Sequence, residues 1–191
     1  MAERFRRGEL ERVLWALKAN KKIPPPMPSE FGTRIRRLLE IDRAADFVEA
    51  GAAFHAFSSD SPSGRGHDVI FSMLDLQMLW LGLELVEMGF KQREVVDQLR
   101  FARPILSKTL GPELTARSDA DSPLFLALPG VERSDFDWLR LPRPSVMSAE
   151  EIGQRAADRK LGRLVILPIG WQAFHSEEAL ALPAPRKRLR R

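Results

Sequence analysis

The fold is decided by residues 63–103, SGRGHDVIFSMLDLQMLWLGLELVEMGFKQREVVDQLRFAR. This stretch begins as a glycine-rich loop, passes through a short apolar run and continues into two helical patterns. Ser72 is followed three residues later by Asp75, which is the spacing of a capping box. Gly89 stands where a helix ends through a residue in the left-handed conformation. The pattern predicts a helix between Ser72 and Gly89.

Apolar side chains surround this first helix almost completely, and only Gln77, Glu84 and Glu87 form a narrow polar stripe. A helix of that composition is expected to lie at the centre of a domain. Trp80 falls within the polar stripe. We interpret it either as a contact to a second subunit or as a side chain packed against the C-terminal part of the chain.

The second helix carries its apolar residues at helical spacing, and Pro104 is expected to stop or kink it because proline lacks the amide proton. Its apolar positions are Val95, Val96, Leu99 and Phe101. With Gly111 and Pro112 following, little room remains for a long further helix.

The stretch resembles the winged helix-turn-helix domain of MerR-type transcription regulators, over about a third of the chain. That family follows its wing with an aromatic residue, a Ser or Thr cap, an Asp-Leu pair, and a helix closed by a Gly-Phe or similar pair. The matching residues here are Phe71, Ser72, Asp75, Leu76, Leu79, Leu85, Gly89, Phe90, Val95 and Leu99. The resemblance implies a bacterial-type regulator that binds duplex DNA as a homodimer.

Upstream, residues 31–51 predict a helix, a break near Asp42 that caps a following helix, and a stop at Gly51. If the resemblance holds, residues 43–50 would enter the major groove, and residues 58–68 would form the wing. Residues 69–71 would be its return strand, with residues 54–57 as a partner. Arg65 and His67 would approach a phosphate from the wing tip.

The charges do not fit that assignment well. The segment 43–50 offers only Arg43, together with two acidic residues that phosphate repels, whereas Arg34, Arg36 and Arg37 lie one helix earlier. Either the helix at residues 33–40 faces the DNA, or this region does not read bases. A lone arginine on a guanine edge would supply about 1–3 kcal/mol of discrimination.

The two ends of the chain are basic. Residues 8–20 predict an amphipathic helix, and the prolines at positions 24–28 predict a stiff, extended connector after it. The last six residues, which include Arg186, Lys187 and Arg188, carry five positive charges, so the remainder of a chain with net charge +4 is close to neutral. Basic ends suit phosphate contacts, although solvated tails would have the same composition.

Beyond residue 120, two apolar runs at residues 124–128 and 164–169 predict short strands, which must pair with each other, with the wing or across a dimer. Ser148 and Glu151 have capping-box spacing and predict a helix. A last short helix is expected at residues 171–182.

Composition argues against several classes of protein. The chain has no cysteine, its three histidines are scattered, and it carries no phosphate-binding or nucleophile motif. We therefore predict no enzyme activity, no metal site and no cofactor. The absence of a signal segment or a long apolar run predicts a cytoplasmic protein without membrane contact.

The combined prediction is a mainly α protein: a winged helix-turn-helix domain with a small α+β C-terminal appendage. The predicted boundaries are 1–28 for the N-terminal helix and linker, 29–112 for the DNA-binding domain, 120–185 for the appendage and 186–191 for the basic tail. Partners would be double-stranded DNA, a second copy through Trp80 and Phe101, and a protein bound by the appendage. The alternative is a protein-interaction adaptor on the same scaffold that does not read DNA sequence.

Overall fold

A computed structural model describes residues 4–19, 24–44, 55–58, 69–109, 124–129, 144–157 and 164–169. Within them the chain is mainly helical, with two small antiparallel sheets. In chain order the elements are β1 (Arg4–Arg6), α1 (Arg7–Ala19), α2 (Ser29–Arg43), β2 (Ile70–Ser72), α3 (Met73–Glu87), α4 (Gln92–Thr109), β3 (Leu124–Pro129), β4 (Ser145–Ser148), α5 (Ala149–Ala157) and β5 (Leu164–Pro168). Among these helices, none combines the length and the hydropathy needed to cross a bilayer.

Helix α3 is the central element, as its sequence predicts. The Ser72 hydroxyl accepts the Asp75 backbone N–H, and the Asp75 carboxylate accepts the Ser72 N–H, which completes the capping box. Gly89 follows the helix with φ of +94°. Gln77, which we expected on a polar stripe, is instead buried, because other helices cover that part of α3.

Replacing Gly89 with alanine is expected to destabilise the fold by about 1–2 kcal/mol, since L-residues are disfavoured in the left-handed region. An added Cβ would meet nothing within 4 Å, so the effect comes from the backbone alone. Urea unfolding followed by circular dichroism measures it. Gly8→Ala is the matched control: Gly8 lies inside α1 in equally open space, and alanine there is expected to stabilise. Equal shifts of the same sign would contradict the prediction.

Helices α1 and α2 share the core with α3. α1 is the amphipathic helix predicted at residues 8–20: Leu10, Val13 and Leu14 on its inner face are fully buried, and the inner face of α2 is buried with them. The proline-rich connector is held against α1, because Trp15 donates its Nε1–H to the Pro25 carbonyl at 2.7 Å. The segment that we predicted to precede the DNA-binding domain therefore packs in the same core as that domain.

The predicted strand partner of residues 69–71 is wrong. β2 pairs antiparallel with β1, in a register that places Phe5 opposite Phe71. Both phenylalanines are buried, while the neighbouring Arg6 and Ile70 are exposed, so the alternation of the strands matches one buried face. Residues 55–57, the described part of the expected partner, form no strand and are bonded to α2 instead.

One predicted helix boundary is wrong, and of the two effects expected of Pro104, a stop does not occur. α2 runs through Asp42 and ends at Arg43, so Asp42 does not cap a following helix. α4 continues past Pro104 to Thr109. The proline lies on the exposed side of α4, while Arg103 and Leu106 on either side of it are buried, and this packing holds the last turns in place.

The C-terminal strands pair with each other, which was one of the alternatives open from the sequence. β3 is the central strand, flanked antiparallel by β4 and β5, and β4 was not predicted. Ser148 and Glu151 form the predicted capping box of α5. Leu126, Leu128 and Leu167 reach the main core. The expected helix at 171–182 lies outside the described residues.

Candidate nucleic-acid interface

The outer face of α2 is the most basic helical surface among the predicted site residues. Its inner face buries Phe31, Ile35, Leu38 and Leu39, because these residues recur at helical spacing. The opposite face exposes Arg36, Arg37, Glu40 and Arg43. Within the described residues, no carboxylate oxygen lies within 4.0 Å of a guanidinium nitrogen of Arg36, Arg37 or Arg43. Their guanidinium groups are therefore available to an external anion.

Arg34 belongs to a different surface, although it lies on the same helix. Its Nη1 lies 3.8 Å from Glu87 Oε1 of α3. The structure thus separates Arg34 from the other two members of the predicted cluster, Arg36 and Arg37.

Lys18 of α1 joins the same acidic group. Its Nζ lies 3.1 Å from Glu84 Oε1, is also paired with Glu87, and lies 5.8 Å from the centre of the Trp80 ring. Burial alone would lower the Lys18 pKa, but the hydrogen bonds to Glu87 and Glu84 outweigh it and raise this pKa above its ordinary value. The polar stripe of α3 therefore ties three helices together.

A buried polar cluster fixes the end of α2. Arg100 of α4 donates from Nε to Asp42 Oδ1 at 2.9 Å. The same carboxylate accepts the backbone N–H groups of Ala56 and Phe57, each at 2.9 Å. His55 Nδ1 lies 2.9 Å from the Asp42 carbonyl oxygen. One aspartate thus connects α2, α4 and the segment 55–58.

A second arginine of α4 makes the matching connection to α3. Arg103 Nη2 donates to Asp75 Oδ1 at 2.5 Å, and its Nη1 donates to the Ala56 carbonyl at 2.7 Å. Asp75 Oδ2 meanwhile accepts the Ser72 N–H at 2.7 Å. The capping residue of α3 is therefore also the counter-ion of a buried arginine, since Asp75 is fully buried and Arg103 is 6% exposed.

The two ion pairs fix segment 55–58 and the start of α3, and the predicted wing lies between these two parts in the sequence. Segment 55–58 is fixed by Asp42 and Arg103, and residue 59 follows it directly. At the other end, β2 is fixed by β1 and by the capping box. Sequence reasoning missed this arrangement. Its signal is the placement of Arg100 and Arg103 among the buried apolar positions of α4.

Two further arginines lie on β1, opposite residues of β2. Arg4 and Arg6 alternate with buried Phe5 on β1, so both are exposed. Arg6 is opposite Ile70 in the register. Neither arginine was among the predicted site residues, because β1 was not recognised as a strand.

The remaining predicted residues are distributed as follows. Arg43 is the last residue of α2 and is exposed. Phe101 is 43% exposed on α4, whereas Trp80 is only 6% exposed and belongs to the buried core. A subunit contact through Trp80 stays a prediction. The residues that lie outside the described ranges are Arg65, His67, Arg186, Lys187 and Arg188.

Comparison with models of protein families finds no match to this chain, and no curated protein matches it. In the part of the chain that the structure describes, no group of three or more His, Asp or Glu side chains is arranged to hold a metal ion. The chemistry available at the outer face of α2 is that of a row of guanidinium groups, which bind phosphate through charge and paired hydrogen bonds.

Proposed function

We propose that this protein is a DNA-binding transcription regulator of winged helix-turn-helix build, which binds duplex DNA as a homodimer and presents α2 to the DNA. The observation that carries the proposal is the exposed row of Arg36, Arg37 and Arg43 on α2. This choice replaces the segment 43–50 as the proposed groove-binding element, because Arg43 ends α2 rather than beginning a new helix.

The relation between α1 and α2 supports this choice. In a helix-turn-helix, the first helix supports the second, and the second lies in the major groove. Here α1 buries one side against the core, and α2 packs against α1, α3 and α4 through its apolar face. This packing leaves Arg36, Arg37 and Arg43 facing away from the core. Arg4 and Arg6 on β1 add positive charge beside the predicted wing.

Glu40 gives the surface a specific chemical character. It is exposed and lies one helical turn from Arg36, Arg37 and Arg43. A carboxylate there repels phosphate but accepts a hydrogen bond from the amino group of cytosine, while arginine donates to guanine. We therefore propose that the arginines at the ends of the row contact phosphates or guanine and that Glu40 disfavours some sequences.

The proposal predicts that changing Arg36, Arg37 and Arg43 together to glutamine weakens binding to random duplex DNA and flattens its salt dependence. Each lost phosphate contact removes about 0.9 from the slope of log K against log salt concentration, so the triple variant should lose about 2–3 from the slope. Fluorescence anisotropy with a labelled duplex at several salt concentrations measures this.

The matched control removes the same charge elsewhere. Arg7, Lys91 and Arg155 are exposed on α1, before α4 and on α5. Changing all three to glutamine should leave most of the slope intact. A folded wild-type protein that binds no duplex at low salt would refute the proposal, and equal losses in the two triple variants would refute the role of α2.

The second candidate is a protein-interaction adaptor on the same scaffold, favoured by the acidic Glu40 within the arginine row. It predicts capture of a protein partner that is lost in the Arg36, Arg37 and Arg43 triple variant, with no salt-dependent duplex binding by the wild-type chain. The anisotropy titration therefore separates the two functions.

A further inference from the structure

The outer face of α4 carries a stripe of side chains that lies opposite the buried face of the helix. Its members are Arg93, Asp97, Phe101, Pro104 and Lys108, which lie within an arc of about 80° at 3.6 residues per turn. Phe101 is 43% exposed, and Pro104 and Lys108 are exposed with it. Aromatic side chains are enriched in protein interfaces relative to the rest of the surface, so the exposed Phe101 ring makes this stripe a candidate contact surface.

The order of charges along this stripe fits a second copy of the same helix. In a two-fold symmetric contact, if one residue touches a second, the second touches the first. When the two helices are antiparallel, the two residue numbers of every contacting pair must have the same midpoint. Phe101 with Pro104 and Asp97 with Lys108 are both centred between Ala102 and Arg103. A single register therefore places Phe101 against Pro104 in the middle of the contact. It also places Asp97 against Lys108 about 8 Å along the helix axis to either side.

We propose that α4 of one copy packs antiparallel on α4 of a second copy, with Phe101 against the partner's Pro104 and Asp97 against the partner's Lys108. This assigns a surface to the homodimer contained in the proposed function. The contact is an isologous one that closes on itself, so it stops at two copies.

The surroundings of Asp97 agree with this arrangement. Burial raises the pKa of Asp97, and the nearby Arg100 and Arg93 offset only part of that effect, while Asp42 and Glu94 add to it. A carboxylate whose ionised form is disfavoured in the single chain gains from a further cation. Lys108 has no ion-pair partner among the described residues, and the register brings two copies of it to the two copies of Asp97.

Charge reversal and charge exchange test the register. Sedimentation velocity on the full chain without DNA should give a dimer, and Asp97→Lys or Lys108→Asp should each raise its dissociation constant about tenfold, because both symmetric pairs become repulsive. The double variant Asp97→Lys with Lys108→Asp should return the constant to within about threefold of wild type, since the pairs are restored with opposite sign. Glu150→Lys on α5 changes charge equally at an exposed position and should have no effect.

Two outcomes would overturn the proposal: a wild-type chain that stays monomeric at about 100 μM, or a double variant as weak as the single ones. The second outcome would also follow from a register centred on Phe101, in which Glu94 faces Lys108. Thermal unfolding checks that each variant folds, and Lys108→Asp serves if Asp97→Lys does not, because Lys108 is exposed. Since dimerisation is measured without DNA, its failure leaves the salt-dependent duplex binding to be judged by itself.

Discussion

Replacing Asp42 with alanine is expected to lower the free energy of unfolding by about 3–5 kcal/mol, which is the cost of breaking a buried ion pair by removing one partner. The carboxylate is 1% exposed and accepts hydrogen bonds from Arg100 and from the backbone of Ala56 and Phe57. Without it, the Arg100 guanidinium, which is 5% exposed, loses the carboxylate to which its Nε donates, and two buried N–H groups lose their acceptor. Urea unfolding at several wavelengths measures the change.

Two further variants separate the charge from the hydrogen bonds. Asp42→Asn keeps a carbonyl oxygen in place and should lose less than alanine. Arg100→Met removes the other partner, and the double variant Asp42→Ala with Arg100→Met should lose clearly less than the two single losses together, because the interaction between the two residues can be lost only once. A loss below about 1 kcal/mol for Asp42→Ala would be no larger than that of an exposed ion pair and would contradict the prediction.

The sequence predicted those elements whose signals are local. The capping box of α3, the left-handed Gly89, the cap of α5 and the two apolar strands each depend on residues within a few positions of one another. Local hydrogen bonds and helical spacing determine such features, so the amino-acid sequence alone is sufficient to predict them.

The parts that sequence reasoning missed depend on contacts between distant residues. Asp42 has the composition of a helix cap, but it continues the inner face of α2 one turn beyond Leu38 and Leu39, and its partners are 14 and 58 positions away. The same holds for β1, whose three residues carry no strand signal until Phe5 is placed opposite Phe71. A pattern of spacing cannot separate a buried acid from a cap, since both are single polar residues at a helical end.

The candidate site was predicted in part for the same reason. The arginines of α2 were recognised as a basic cluster, but their division into exposed Arg36 and Arg37 and the α3-facing Arg34 depends on where Glu87 lies. The predicted groove-binding segment 43–50 depended on a helix start at Asp42, so its assignment changed when the role of Asp42 changed. Burial of one carboxylate therefore decided which helix carries the proposed interface.

Replacing Asp75 with alanine is expected to cost as much as the loss of Asp42, about 3–5 kcal/mol, because one carboxylate serves two purposes. Its Oδ2 accepts the Ser72 N–H at the start of α3, and its Oδ1 is the counter-ion of Arg103, which also holds the Ala56 carbonyl. Ser72→Ala removes the hydroxyl that accepts the Asp75 N–H and donates to Asp75 Oδ2, and it should cost about 1 kcal/mol. The excess of the Asp75→Ala loss over the Ser72→Ala loss, measured by urea unfolding, reports the buried ion pair and the Ser72 N–H bond, which only Asp75→Ala removes. If Ser72→Ala were as damaging as Asp75→Ala, the cap alone would account for the effect, and Arg103 would not need Asp75.

If instead Asp75→Ala is the more damaging, the start of the central helix and the position of segment 55–58 are coupled through Arg103. Any change that weakens the ion pair between Asp75 and Arg103 should then also displace segment 55–58 and reduce the duplex binding proposed above.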